Sequence, residues 1–144
     1  MVRYDAGHTL TTDDLSAYPA RLYDARQVAA ATFLGTPIAG SILIALNYRA
    51  MGSASAAWKT VGLGGVGTAA LAWLAYALPK GLPGVLPLVL QTSGMYYAAG
   101  VLQGRAVAAH RQQNGRQGSW WAAYGVGLAC FAVAVIALYV AGAF

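Results

Sequence analysis

Apolar residues fall along this chain in four long runs that are separated by short polar connections. A membrane-spanning helix needs about 20 apolar residues, and a helix is the state in which a single apolar run of that length satisfies its own backbone polar groups inside lipid. The pattern therefore predicts an all-α integral membrane protein, a four-transmembrane-helix bundle. Residues 28–144 form the membrane domain, after a polar N-terminal segment at residues 1–27 with a possible short interfacial helix. The predicted spans are residues 28–47, 56–78, 83–102 and 121–143.

Local signals mark the ends of these helices. Asp24 and Gln27 have the spacing of a capping box, which predicts the start of the first helix. The stretch PKGLPG, residues 79–84, ends the second helix and starts the third, because proline is tolerated only in a first turn. RAVAAHRQQ extends the third helix out of the membrane until NGRQG breaks it. Tyr and Trp flank the runs, as expected at headgroup depth.

Composition supports a membrane location. The chain is 58% hydrophobic and 9% charged, whereas soluble domains have roughly 25% charged residues. The net charge is +5, and the basic residues mostly flank the apolar runs. Lipid headgroups are therefore the expected counter-charge, and nucleic acid is not an expected partner. The Ala- and Gly-rich composition loosely resembles that of small bacterial inner-membrane proteins, a resemblance that implies no activity. The expected location is the plasma (inner) membrane, as a multi-pass protein.

The charge distribution decides little about orientation under the four-span prediction. Four spans put both termini on one side of the membrane. The terminal side then has four Lys and Arg, and the loop side has five. Because positive charge favours the cytoplasmic side, the count favours cytoplasmic loops only slightly. It is also compatible with insertion in both orientations.

Candidate catalytic chemistry is sparse. His8 and His110 lie in polar segments without a second ligand or a carboxylate at helical spacing, and Cys130 is the single cysteine. Enzymes need converging polar groups, and buried charges usually mark ion pathways. The predicted spans contain neither pattern, since their single charged residue, Lys59, lies near the start of the second span. We therefore expect no catalytic, cofactor-binding or metal site, and Cys130 is interpreted as a small hydrophobic residue.

Uncharged polar residues lie near the centres of the predicted spans. They form a candidate midplane polar site, which comprises Thr36, Thr68, Gln91, Thr92, Ser93 and Tyr96. Two interpretations stay open. The residues line a narrow pathway, or they form interhelical hydrogen bonds worth about 0.6 kcal/mol each. The second interpretation is favoured.

Small residues form rows at four-residue spacing, which allow close approach of helix backbones. The predicted helix-packing face comprises Gly35, Thr36, Ala39, Gly40, Gly64 and Thr68. Further rows are Gly65–Ala69 and Gly125–Ala129. Pro37 is predicted to bend the first helix, because it removes the hydrogen bond to the carbonyl of Phe33.

Two functions follow as hypotheses. The first is a small non-catalytic accessory, assembly or regulatory subunit of a membrane protein complex, bound to lipids and to another membrane protein. The alternative is a homo-oligomeric channel or transporter, built from copies of the chain around the midplane site. Packing rows and the polar N-terminal segment favour the first hypothesis, and the midplane residues with the Pro37 bend favour the second.

Overall fold

The computed structural model describes residues 21–77 and 83–140. These residues form five helices, and the described part of the chain is all-helical apart from an isolated bridge that pairs Leu22 with Gln117. The helices are α1 (Ala25–Leu34), α2 (Pro37–Ala50), α3 (Ala54–Ala77), α4 (Val85–Gln112) and α5 (Trp120–Val140). Most of the predicted polar N-terminal segment, residues 1–20, lies outside the described residues.

The first apolar run forms two helices that run in opposite directions. The prediction of one bent helix is therefore wrong. α1 ends at Leu34 and α2 begins at Pro37. The side-chain amide of Asn47 accepts from the N–H of Tyr23 and donates to its carbonyl, both at 2.8 Å. A continuous helix would separate these two residues by about 36 Å, at 1.5 Å per residue. α1 and α2 therefore form an antiparallel hairpin, whose tip is Gly35 and Thr36.

The reversal has a local cause at the tip. The proline ring disfavours the helical conformation for the residue before it, and Thr36 is extended, with φ −139° and ψ 173°. Pro37 itself is well placed as the first residue of α2. The sequence prediction considered the hydrogen bond lost at Phe33 but not the restriction on Thr36. A bend was therefore expected where the chain turns back.

Other helix ends follow the sequence signals. The predicted capping box is confirmed, because the Gln27 N–H donates to the Asp24 carboxylate at 2.9 Å and the Asp24 N–H donates to the side-chain oxygen Oε1 of Gln27 at 3.0 Å. α4 continues to Gln112, as predicted. Two residues after the end of α4, Asn114 has φ 55°, and two residues after the end of α2, Gly52 has φ 79°. At both ends the following N–H groups bond back to helix carbonyls in the Schellman pattern.

The hairpin forms the centre of the fold. α3 runs antiparallel to α2, where the N–H of Ile38 donates to the hydroxyl of Thr68 at 3.1 Å. Gly40 of α2 lies beside Met95 of α4, and Gly127 of α5 lies against α1. Among the described residues, α3, α4 and α5 pack on the hairpin and make few contacts with one another.

Two ends of the bundle are named here. At the head end α1, α3 and α5 begin and α2 and α4 end, whereas at the tail end α3 and α5 end and α4 begins. The buried core lies in the head half, where Val28, Ala31, Ala39, Leu43 and Ile44 are at most 1% exposed. The hairpin does not extend into the tail half, so the long helices pass its tip without a central element among the described residues.

Within residues 21–77 and 83–140, two helices, α4 and α5, are long and apolar enough to cross a membrane. α3 has 24 residues, but it is not one of these two candidate spans. Four membrane spans are therefore not confirmed.

Candidate functional site

The small residues of α1 mark its contact with α5. A Cβ at Gly35 would lie 2.6 Å from the carbonyl oxygen of Gly127, and one at Gly127 would lie 2.8 Å from that of Ala31. Real Cβ atoms do not approach so closely, so glycine at both positions brings the two backbones into contact. This is how helices associate closely in lipid.

Small residues of α2 mark its contacts with α3 and α4. A Cβ at Gly64 would overlap the side chain of Ser41, and one at Gly40 would overlap Thr32 and lie 3.0 Å from Met95. The predicted packing residues Gly35, Thr36, Ala39 and Gly40 belong to the two sides of a turn rather than to one helix. Gly64 and Thr68 lie opposite them on α3.

Three buried amide side chains lie in the head half. They are Gln27, Asn47 and Gln103, and they are called the amide cluster here. The three side chains are 0–3% exposed. Asn47 Nδ2 donates to Gln103 Oε1 at 2.7 Å, and Gln103 Nε2 donates to the carbonyl of Ile44 at 2.9 Å. Together with the bonds to Tyr23, these contacts use every polar atom of the Asn47 side chain. The cluster therefore connects the start of α1, the end of α2 and the middle of α4.

Gln27 of this cluster also bonds to the connection between α4 and α5, residues 113–119. Gln27 Nε2 donates to the carbonyl of Gly118 at 2.6 Å. His110 is 4% exposed and contacts the carbonyl of Arg116 through Nε2 at 3.1 Å. Sequence reasoning missed this cluster, because Asn47 and Gln103 are 56 positions apart and nothing in the pattern pairs them. Their polar groups have partners, which indicates a structural role.

A second feature, the tip cavity, lies where the hairpin ends. It has a volume of about 490 Å³. Its polar lining residues are Thr36, Thr68 and Gln91, three of the six predicted midplane residues. The other described lining residues are Pro37, Leu71, Ala72, Gly84, Pro87, Leu88, Ala134, Ala137 and Leu138.

The hydrogen-bonding state of the three polar residues differs. Thr68 is satisfied, because its hydroxyl donates to the carbonyl of Gly64 at 2.9 Å and accepts from Ile38. The hydroxyl oxygen of Thr36 is buried and has no partner among the described residues. Gln91 is partly buried at the cavity wall. The cavity therefore has a mainly apolar wall, to which Gln91 contributes an amide, whereas the Thr36 oxygen is not accessible from it.

The remaining midplane residues do not join this site. Thr92 has a buried hydroxyl without a partner among the described residues, but it does not line the cavity. Ser93 lines an apolar groove of about 410 Å³ with Leu74 and Leu90. Tyr96 is 50% exposed.

The outer face of α4 is a third feature, defined by Ser93, Tyr97, Gly100 and Gly104. At 100° per residue these positions fall within about 60° of one another. Tyr97 is 73% exposed, and a Cβ at either glycine would meet nothing within 4 Å. This stripe of small and hydroxyl-bearing residues is therefore not used for packing within the described chain.

Residues 21–77 and 83–140 hold no group of three or more His, Cys, Asp or Glu side chains placed to bind a metal ion. Comparison with known proteins gave no match to a family model, to a curated protein or to a solved structure.

Proposed function

We propose that this chain is an integral membrane protein in which α3, α4 and α5 cross the bilayer around a re-entrant hairpin. Aromatic residues support this placement. On α3, Trp58 is 74% and Tyr76 is 90% exposed, and on α5, Trp121 is 84% and Tyr139 is 76% exposed. Each pair spans 18 residues, about 27 Å of helix, which is close to the ~30 Å thickness of the hydrocarbon core.

The hairpin tip then lies near the middle of the membrane. Thr68, which bonds to the tip, is ten residues after Trp58 and therefore about 15 Å deeper. Irregular backbone at such depth is tolerated only where protein surrounds it. Contacts of the tip with α3 and α5 support this placement, since Ile38 bonds to Thr68 and Gly35 lies against Gly127.

The hairpin also changes the charge balance between the two sides. Under this arrangement seven of the nine Lys and Arg residues lie at or near the head end: Arg21, Arg26, Arg49, Lys59, Arg105, Arg111 and Arg116. Positive charge favours the cytoplasmic side. We therefore assign the head end to the cytoplasm and the end of α5 to the opposite side, in the plasma (inner) membrane.

Orientation is tested on the full chain. With Cys130→Ser as background, Gln117→Cys should resist a membrane-impermeant maleimide in intact cells and react after permeabilisation. A phosphatase fused after Phe144 should be active, because that enzyme folds only outside the cytoplasm. Labelling of Gln117→Cys in intact cells would contradict the assignment.

Within this placement we propose a non-catalytic function, as an accessory or assembly subunit that binds another membrane protein. The outer face of α4 carries this proposal. Tyr97 is about one and a half turns from the level of Gln103, and its phenol points away from the bundle at membrane depth. Small residues beside it allow a second helix to approach closely, and a hydroxyl in hydrocarbon gains from a partner.

The subunit proposal is tested by purification in native lipid followed by mass measurement. We expect a complex with a different membrane protein, lost when Gly100 and Gly104 are both changed to Ile. Gly94→Ile is the matched control, because Gly94 is an exposed glycine of α4 that lies off the outer face. A protein recovered only as a monomer, or a complex that survives the double change, would contradict the proposal.

The tip cavity favours a second candidate, a homo-oligomeric channel or transporter for a neutral solute. Within one chain the head half is closed by Val28, Leu43 and Ile44, which are at most 1% exposed. A pathway would therefore have to continue between copies of the chain. Recovery of a homo-oligomer that conducts a neutral solute in vesicles, with flux reduced by Gln91→Leu, would favour this candidate over the subunit.

A further inference from the structure

A small groove, called the head groove here, lies between α2 and α3 at the head end. It has a volume of about 130 Å³. Ile42, Leu46 and Arg49 line it on α2, and Trp58 and Val61 line it on α3, together with two alanines. The usual volume of a ligand site is ~300–1,000 Å³. The head groove can therefore hold only part of a larger molecule.

The outer end of the head groove carries accessible hydrogen-bond donors. Arg49 lies in the last turn of α2 with an exposed side chain, and Trp58, near the start of α3, is 74% exposed. Within the described part of the chain, the Arg49 guanidinium has no hydrogen bond or ion pair. A guanidinium has five donors and a permanent positive charge, and its planar fork matches two oxygens of a phosphate group. The indole N–H of Trp58 adds one donor. The complementary group is therefore a phosphate.

The inner part of the head groove is apolar. Ile42 precedes Arg49 by seven residues, so the groove follows α2 for about 10 Å. It runs from the head end toward the hairpin tip, because α2 begins at the tip. Leu46 is exposed, and Ile42 and Val61 are partly exposed. In the proposed membrane placement, an acyl chain can lie along these side chains while its phosphate reaches Arg49 at headgroup depth.

Charge at the head end favours an anionic lipid over a zwitterionic one. Seven of the nine Lys and Arg residues lie at or near this end. Asp24 is the one acid among the described residues, and its carboxylate accepts from the N–H of Gln27. Basic residues beside a membrane attract anionic lipids. Because Arg49 lines the head groove, part of this attraction is directed to the groove itself.

We infer that the head groove binds an anionic phospholipid, whose phosphate bonds to Arg49 and whose acyl chain packs on Ile42, Leu46 and Val61. This inference rests on the proposed membrane placement. It depends neither on the proposed subunit role nor on the assignment of the head end to the cytoplasm.

Tryptophan fluorescence tests the inference, because Trp58 lines the groove. In the full chain with Trp73→Phe, Trp120→Phe and Trp121→Phe, Trp58 is the single tryptophan. This chain is placed in vesicles that mix phosphatidylcholine and phosphatidylglycerol, and one of the two lipids carries bromine on its acyl chains. Bromine quenches tryptophan fluorescence on contact. Brominating each lipid in turn therefore gives the association constant of phosphatidylglycerol relative to phosphatidylcholine beside Trp58.

A second reporter chain keeps Trp121 and carries Trp58→Phe, Trp73→Phe and Trp120→Phe. Trp121 is also exposed and lies at the head end, on α5, but it is not among the described lining residues of the groove. It therefore reports the general attraction of anionic lipid to this end. We expect the relative association constant to be about fivefold higher at Trp58 than at Trp121, which is the effect of one additional Lys or Arg beside an anionic lipid.

Variants of Arg49 identify the phosphate contact. Arg49→Gln in the Trp58 reporter chain should lower the relative association constant about fivefold, whereas Arg49→Lys, which keeps the charge, should retain most of the preference. Arg111→Gln is the matched control, because Arg111 is likewise an exposed arginine in the last turn of its helix. Arg49 and Arg111 lie about 3 Å and about 12 Å beyond the level of the hydrogen bond between Asn47 and Gln103. The difference is roughly one Debye length, so the control should change the constant less than about twofold.

Three outcomes would overturn the inference. Equal constants at Trp58 and Trp121 would show a general attraction to the head end and no site in the groove, and this comparison stands even if Arg49→Gln does not fold. Equal losses in Arg49→Gln and Arg111→Gln would show that Arg49 does not bind the phosphate. Quenching of Trp121 without quenching of Trp58 would show that protein covers the groove. Absence of quenching at both tryptophans would instead contradict the membrane placement, and the inference with it.

Discussion

Asn47 provides the sharpest test of the hairpin, because its side chain joins both ends of the reversal. Replacement by Leu keeps a similar volume and removes three hydrogen bonds, two to Tyr23 and one to Gln103. Each buried group left without a partner costs about 1–3 kcal/mol. Hydrogen bonds measured within membranes average about 0.6 kcal/mol. Tyr23 is only partly buried, so water replaces part of its loss, and we expect destabilisation of about 2–4 kcal/mol.

The measurement is thermal unfolding of the purified chain in detergent, followed by a thiol-reactive fluorophore. Cys130 is the single cysteine, and it packs partly against the core, so its reaction reports loss of packing. With about 2–4 °C per kcal/mol for a chain of this size, Asn47→Leu should lower the melting temperature by at least about 4 °C. Gln112→Leu is the control, because it removes an exposed amide of α4.

The double variant Asn47→Leu with Gln103→Leu gives a second reading. Because the two side chains bond to each other, the combined loss should be smaller than the sum of the single losses. A melting temperature for Asn47→Leu within about 1 °C of the control would refute the reasoning, since one continuous helix would place Asn47 far from Tyr23.

Two further predictions compare pairs of glycines, of which the first pair differs in packing and the second in backbone conformation. Gly127→Ala should destabilise by about 1–2 kcal/mol, because its Cβ would meet the carbonyl of Ala31 at 2.8 Å, whereas Gly125→Ala meets nothing within 4 Å and should be neutral or stabilising. Gly52→Ala should cost about 1–2 kcal/mol, because φ is 79° there, whereas Gly62→Ala within α3 should gain up to about 1 kcal/mol. Melting temperatures check both pairs, and equal shifts within a pair would contradict the packing or the backbone conformation assigned here.

Helix content was largely predictable from the sequence. Apolar runs of sufficient length have few alternatives to helix in lipid, and the runs at α3, α4 and α5 are helical. The capping box at Asp24 and the extension of α4 to Gln112 were also predicted, because they depend on residues within a few positions. Such local signals need no knowledge of the rest of the chain.

The candidate site was predictable only in part. The midplane list contained Thr36, Thr68 and Gln91, which line the tip cavity, because polar residues at the centres of apolar runs lie at similar depth. It also contained Ser93 and Tyr96, which face outward. Sequence alone gave their depth but not the direction in which each helix faces, which depends on its neighbours.

The sequence by itself determined that the chain is apolar and helical. It also determined that small residues recur at four-residue spacing and that basic residues flank the apolar runs. Tertiary structure decided that residues 28–47 fold back on themselves at Gly35 and Thr36. A run of apolar residues fixes how much surface avoids water, and that amount is the same for a straight helix and for a hairpin. The choice between them depends on contacts between distant residues, such as Asn47 with Gln103 and Gly35 with Gly127.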